Sequence, residues 1–383
     1  MTRRIEQIAL PAMSPGTARH LTVFRYGRPG ARPKAYLQAA IHANEMPGVM
    51  ALHHLVPMLD AADKAGRIKG EIVIVPTANP IGLAQLLHNT HVGRYDFLNR
   101  ENFNRNYPDL FAPVAERVEG KLGRDAQRNV KLIRAAALDA LDGLQPANEL
   151  DTLRCALMRL SADADLVLDL HCDMVAALHL FISARDRESA RDLAGYLGAQ
   201  ATMFNEAPPA TMTFSGANGA YWWKLAERFG EAVPVPQACF SVTVEFRGQG
   251  DVTHALGARD ATALLRFLTR RGVIGGGAPA VPRLKGAVTP IGGMDVGYSP
   301  GTGIVTYLKP AGAKVRAGEV ICEIIDPIAA DPTRARSPLE TRASGVLFSR
   351  RSDGQLVWPG RVLFRVAGAT PLPHRAGRSG LDD

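Results

Sequence analysis

No stretch of this sequence approaches the ~20 consecutive apolar residues of a membrane span. The segment from Met1 to His20 is broken by charges and by Pro11 and Pro15, and holds no apolar signal core. A cytoplasmic location is therefore expected. Cysteine is scarce and dispersed: Cys155, Cys172, Cys239 and Cys322 form no C-x-x-C pair. That excludes a disulfide framework and a thiolate zinc site, and fits a reducing compartment. Concentrated charge is missing as well. The formal net charge is +8, but the basic residues gather only in pairs such as Arg3-Arg4, Arg270-Arg271 and Arg350-Arg351. This is a mildly cationic solvated surface, not a nucleic-acid footprint.

What is present is a globular composition, 46% hydrophobic and 21% charged, in 383 residues. That length exceeds one ordinary core, so two domains are expected. Residues 275–282, rich in Gly, Ala and Pro, read as the linker between a domain over 1–274 and a second over 283–383. In the first, Lys34 to Ile41 and Glu71 to Pro76 read as strands around an amphipathic helix that Pro47 opens. This βαβ unit implies a mainly parallel sheet. Residues 112–160 read as a pair of scaffold helices broken near Gly143, and Asp165 to His171 and Ala238 to Phe246 as further buried strands. Residues 88–110, crowded with Asn and Arg and without apolar rhythm, read as a functional loop. The second region changes character to short β runs between glycines. The stretches beginning at Gly303 and at Gly345 resemble each other, so a small all-β sandwich or barrel built from an internal repeat is expected.

Chemistry-bearing residues fall at the ends of these strands, where open α/β folds place ligands. His42 and Glu45 follow the first strand and His171 ends another. A close pair plus one distant histidine is a common catalytic zinc arrangement, with the fourth position left to water. The spacing leaves His91 and His179 open as the third ligand. Asp169, two residues before His171, is suited to orient its imidazole or to bond a neighbouring loop. Glu245 ends an apolar strand where burial would raise its pKa toward the range of a general base; an ion pair with Arg247 is the alternative. Arginines of the 88–110 loop suit a bidentate grip on a substrate carboxylate.

Taken in order, His42-x-x-Glu45, Phe103-Asn104-Arg105-Asn106-Tyr107, Asp169-Leu-His171 and Thr243-Val-Glu245 resemble the motifs of the zinc carboxypeptidase clan. The Asp-Leu-His form and the C-terminal β region resemble its succinylglutamate desuccinylase and aspartoacylase branch. The resemblance implies an α/β fold, a mixed, mainly parallel sheet flanked by helices, with the small all-β domain capping the cleft. It implies one Zn2+ on His42, Glu45 and His171, and Glu245 as general base and then acid. By the same resemblance Asn104 and Arg105 grip the substrate carboxylate and Arg94 polarises the scissile carbonyl. The gap between Arg94 and Arg105 is longer than the family pattern, which makes Arg100 a rival for that role. Arg247 stands where a smaller residue is usual, suiting acyl-group specificity or a salt bridge, and Tyr298 matches a late tyrosine reaching into the site.

The implied function is a zinc amidohydrolase releasing an acyl group from a small N-acyl amino acid. The alternative is a carboxypeptidase acting on small peptides. A homo-oligomer is compatible with the sequence; nucleic acid and membrane partners are not expected. The β repeat also resembles biotinyl and lipoyl carriers, but no lysine follows Lys314, so the residue such a carrier modifies is absent.

Overall fold

The computed structural model describes residues 3–207 and 212–375; residues 376–383, the end of the expected second domain, lie outside them. Nine strands form the main sheet: β1 (Arg4–Leu10), β2 (Arg19–Tyr26), β3 (Lys34–Ala39), β4 (Glu71–Val75), β5 (Leu166–Asp173), β6 (His179–Ser183), β7 (Ala201–Asn205), β8 (Phe240–Gly248) and β9 (Val288–Pro290). Their spatial order is β1-β2-β4-β3-β5-β8-β6-β7-β9. The pairs β4/β3, β3/β5, β5/β8, β6/β7 and β7/β9 are parallel, so the sheet is mixed and mainly parallel as expected. The ninth strand lies beyond the expected linker and closes the edge of this sheet.

Period-2 alternation sorts each central strand between two cores. Leu37, Ile74, Leu168, Leu170, Val242 and Val244 pack beneath helices Pro47–Lys64, Arg187–Leu197 and His254–Arg270. Tyr36, Val73 and Val167 face helices Ala126–Asp142, Glu149–Ser161 and Phe214–Phe229. On that second face the strands turn polar toward their C-terminal ends: Gln38, Asp169, His171, Thr243 and Glu245 fall on alternate positions there. The parallel register aligns them, Gln38 opposite Asp169, Asp169 opposite Thr243, and His171 opposite Glu245. The site is thus a polar patch that the sheet's own periodicity assembles. Residues 112–160 give three helices, not a pair, because Glu119 to Asp125 ends Phe111–Val118 before Asp125 caps Ala126–Asp142.

Beyond β9 the chain forms two small antiparallel sheets. One contains Met294–Tyr298, Val362–Gly368, Gly345–Arg350 and Lys314–Val315; the other contains Arg336–Glu340, Val320–Ile325, Gly303–Tyr307 and Leu356–Val357. They enclose a core of Val305, Ile321, Leu347, Leu363 and Val366. The module is tied to the main body by Val175–Ala176, which pairs with Gly345–Arg350, and by a shared cluster of Met203, Ile291, Met294 and Phe348. No helix among the described residues is long and apolar enough to cross a membrane.

Candidate metal centre and cleft

β3 ends at Ala39, and the next residue, Ala40, with a φ of 56°, turns the chain into the loop carrying His42 and Glu45. Pro47 then starts the helix directly behind that loop. Gly48 permits this: a Cβ there would lie 2.9 Å from the Leu170 Cβ and 3.1 Å from the Ala39 Cβ, so a side chain would push the helix off β5. The loop itself is held by Asn79, which donates to Ile41 O at 2.8 Å, and by Ala43 N, which donates to Gly93 O at 2.8 Å. Gly93 has no room for a side chain, with Gly82 O at 2.4 Å from a built Cβ, and this contact brings Arg94 to the same place.

His42, Glu45 and His171 are all buried and bring one donor atom each within 4.8 Å of one another. Glu45 Oε1 lies 3.0 Å from His42 Nδ1, and Oε2 lies 2.8 Å from His171 Nδ1. The far ring nitrogens are occupied. Asn102 Oδ1 accepts from His42 Nε2 at 2.9 Å and also from Asn104 N at 2.8 Å, which fixes the amide's orientation. Asp169 Oδ2 accepts from His171 Nε2 at 2.8 Å, while its Oδ1 accepts from Gln38, itself hydrogen-bonded to Tyr36. In their neutral forms both imidazoles would carry the proton on Nε2, held by these acceptors, and leave Nδ1 facing Glu45. Two neutral nitrogens and a carboxylate, each backed by a second hydrogen bond, fit a divalent zinc-type ion.

Electrostatics agree with that fit at His42 and Glu45. Burial and the nearby Arg94 charge hold His42 below its ordinary value, keeping the imidazole neutral. Burial would raise Glu45, but the adjacent His42 and His171 hold it well below the carboxylate range. Burial would likewise lower His171, but the carboxylates of Asp169 and Glu45 overcome it and raise it, so without an ion this imidazole favours its charged form, and a bound cation would take the place of the Nδ1 proton. Replacing Asp169 by Asn is expected to weaken zinc affinity about 10- to 100-fold, because the acceptor fixing the His171 tautomer weakens. Competition with a chromogenic chelator reads this directly; an unchanged dissociation constant would remove Asp169 from the role.

The three donors open onto a cleft of about 690 Å³ whose lining includes Arg94, Asn104, Arg105, Glu245 and residues of the β module. Arg94 Nη1 lies 3.2 Å from both His42 Nδ1 and Glu45 Oε1. Asn104 is buried, its Oδ1 accepting from Phe214 N at 2.8 Å and its Nδ2 lying 3.2 Å from His171 Nε2. Arg105 Nη1 donates to Asn104 O at 2.9 Å. Glu245 has a buried Oε2 with no hydrogen-bond partner among the described residues. Burial pushes its carboxyl up to about 8, with repulsion from Glu45 and Asp173 adding to this against the pull of His171 and Arg94. A carboxyl with an unmade hydrogen bond, facing a cleft beside a metal-type cluster, is suited to take up and release a proton near neutral pH.

The family model described as the succinylglutamate desuccinylase/aspartoacylase catalytic domain matches residues 31–271. The chain belongs to the succinylglutamate desuccinylase/aspartoacylase family. A solved structure of a succinylglutamate desuccinylase/aspartoacylase from Shewanella frigidimarina is 22% identical, covering 96% of this chain and 98% of its own, with a TM-score of 0.83. A family protein from Shewanella amazonensis is 23% identical over 95% and 98%, with a TM-score of 0.81. The product-bound ectoine utilization protein EutE (DoeB) from Ruegeria pomeroyi is 19% identical over 97% and 96%, with a TM-score of 0.65. At these identities the structures establish the shared fold. No match is found among curated proteins.

Within this family fold several expected positions fall elsewhere. Arg100 is exposed at a φ of 58° and does not line the cleft, because the 88–110 loop folds on itself through Asp96 and the Tyr95–Asn102 bridge. Arg247 does not pair with Glu245; it forms an ion pair with Asp260 and lies over Phe246, its φ of 63° turning it away from the strand's alternation. Tyr298 packs with the Met294, Val296 and Phe348 cluster and is not among the cleft-lining residues. His91 is exposed on a two-residue strand. His179 is buried against Phe181 and Phe348, its Nδ1 donating to Ala177 O at 2.8 Å, and burial lowers it to about 4. Sequence reasoning missed Asn102 as the partner of His42, although the Asn-rich loop was the signal that could have found it.

Proposed function

We propose that this chain is a zinc-dependent amidohydrolase that removes an acyl group from a small N-acyl amino acid. The observation that carries the reading is Glu245, whose buried Oε2 makes no hydrogen bond among the described residues, in register with His171 and sharing one cleft with the His42, Glu45 and His171 donors. Zinc held by those three residues would polarise the amide carbonyl and make water a better nucleophile.

The remaining roles belong to the protein's own groups. Asn104 and Arg105 take the substrate carboxylate, for which a fixed amide and a planar guanidinium are suited. Arg94 supplies a cation at the carbonyl oxygen, where negative charge develops. Glu245 as carboxylate accepts a proton from the attacking water as its oxygen adds to the carbonyl carbon. It then gives that proton to the nitrogen and the C–N bond breaks; the water's second proton passes from the new carboxyl group to the amine, so a carboxylate and an ammonium group leave with Glu245 ionised again. The main body, to whose sheet Val288–Pro290 adds an edge strand, thus carries the chemistry, and the β module that follows it forms a wall of the cleft. Such a wall leaves room for a small substrate and favours deacylation over peptide trimming.

A panel of N-acyl amino acids and short peptides with the zinc-loaded protein tests this. We expect release of a free amino acid from the acyl series, followed by amine detection, with peptides at least about tenfold poorer in kcat/KM, roughly 1.4 kcal/mol of transition-state binding. Efficient peptide cleavage with inert acyl amino acids would overturn the deacylase reading in favour of a carboxypeptidase.

A further inference from the structure

The cleft runs on past the metal centre into the main body. Thr243 and Ser241, two and four positions before Glu245 on β8, also line it, so at the rise of a strand its floor extends roughly 13 Å from Glu245. The hydroxyls along this floor are satisfied within the protein. Ser215 Oγ and Thr243 Oγ1 hydrogen-bond each other at 2.8 Å, and Ser241 Oγ donates to Ser215 O at 2.8 Å. The helix Phe214–Phe229 forms the facing wall with Gly219, Ala220 and the ring of Trp223.

At the far end the polar groups are not satisfied. Asp186 follows β6 and Asn205 ends β7, and both line the cleft. Asp186 is only 3% exposed, yet its Oδ2 has no hydrogen-bond partner among the described residues, and neither has the buried Asn205 Oδ1. Asp186 stands at the N-cap of the helix Arg187–Leu197, where an aspartate ordinarily accepts from N–H groups of the first turn; this one makes no such bond. The flanking arginines are engaged elsewhere: Arg185 lies over Trp223 and donates to Glu227, and Arg187 lies over Phe204. Burial pushes the Asp186 carboxyl up to about 7, with the Ser241 backbone and the Arg271 charge offsetting only part of that.

Two buried acceptors on one pocket, both lacking donors, carry a desolvation penalty that a donor-rich group would offset. An ammonium brings three N–H donors and a guanidinium five, neither brings an acceptor, and the positive charge of either favours the ionised form of Asp186. A carboxylate in the same place would face oxygen lone pairs.

We propose that this extension of the cleft takes the side chain of the substrate's amino-acid half, and that Asp186 and Asn205 bind a terminal ammonium or guanidinium on it. The preferred substrates are then N-acyl derivatives of long basic amino acids. With the α-carboxylate on Asn104 and Arg105 and the scissile nitrogen beside Glu245, an ammonium on a four-carbon stem has the reach to follow the floor to Asp186. The identity of the ligand as a substrate rests on the deacylase reading; the cation pocket itself rests on Asp186 and Asn205.

The test uses the full-length zinc-loaded protein and Asp186→Asn, which keeps the shape of the side chain and removes its capacity for charge. The substrates are the Nα-acyl derivatives of lysine, norleucine and glutamate, with the acyl group that the parent cleaves best; lysine and norleucine share a four-carbon side chain and differ in the ammonium. In the parent we expect kcat/KM for the lysine compound to exceed that for norleucine about tenfold or more, mainly through KM, and Asp186→Asn to bring the ratio within about threefold of one. A parent ratio near one, a parent preference for glutamate over lysine, or a ratio unchanged in Asp186→Asn would overturn the proposal, the last because a merely structural carboxyl affects both substrates alike. Calorimetric titration with free lysine and free norleucine reads the same discrimination without turnover, and reads it on the parent protein even where the variant does not fold. If no acyl amino acid is hydrolysed yet the parent binds lysine about tenfold tighter than norleucine, the deacylase reading falls and the pocket stands. If hydrolysis is robust while lysine and norleucine are treated alike in both measurements, the pocket alone falls.

Discussion

Glu245→Gln is expected to lower kcat on an N-acyl amino acid by about 10³-fold, within the 10²- to 10⁴-fold range of positioned general acid–base catalysis. The amide keeps the shape of the carboxyl but neither accepts the water proton nor passes one to the leaving nitrogen. KM and zinc content are expected to change little, because the carboxylate grip and the three metal donors are other residues. The same substitution has the opposite effect on stability in the metal-free chain. Burial raises the Glu245 carboxyl to about 8, above the ordinary 4.5. The folded state therefore holds a proton that the unfolded chain releases between those values. Its stabilising contribution is complete below about pH 4.5 and is lost as pH rises through 8. At pH 9 the Gln variant should be the more stable protein, by on the order of 1–3 kcal/mol, since it removes a buried charge with an unmade hydrogen bond. At pH 4 the two should coincide. Urea midpoints at the two pH values and steady-state kinetics at neutral pH read both effects. A kcat within about threefold of the parent would remove Glu245 from the chemistry.

His171→Ala is expected to empty the centre. Elemental analysis after gel filtration should fall from about one zinc per chain to near zero, since two remaining donors hold a catalytic zinc poorly. Activity should disappear with it. The parent protein, stripped with a chelator, should regain both activity and thermal stability on zinc addition, by about 2.7 kcal/mol at a hundredfold excess over the dissociation constant. The variant should show neither recovery. His179→Ala is the informative control: it deletes another buried histidine, costing packing against Phe181 and Phe348, but should leave zinc stoichiometry intact. Full activity in a verified metal-free sample would end the zinc mechanism.

The candidate site was legible in the sequence to the extent that strand ends announce themselves. Buried apolar runs ending in Gln38, His171 and Glu245 are local patterns, and the mixed, mainly parallel sheet follows from strand and helix spacing. The repeat around Gly303 and Gly345 was equally local. Helix number in 112–160 was not, because a seven-residue break between helices of similar composition leaves little mark on periodicity.

What the sequence by itself determined was the kind of chemistry: two imidazoles, two carboxyls and an Asn-Arg pair, each at the end of a recognisable element. Only the tertiary structure decided which of several equivalent residues meet. His171 stands in register with Glu245, whereas His179 buries its ring in an apolar contact. Arg94 is carried to the centre by the Gly93 contact, whereas Arg100 is turned to solvent and Arg247 to Asp260. The physical reason is range. Alternation and capping act within a few residues, but register, loop closure and the docking of one module on another are long-range contacts. Those contacts decide where a charge is desolvated and what it faces.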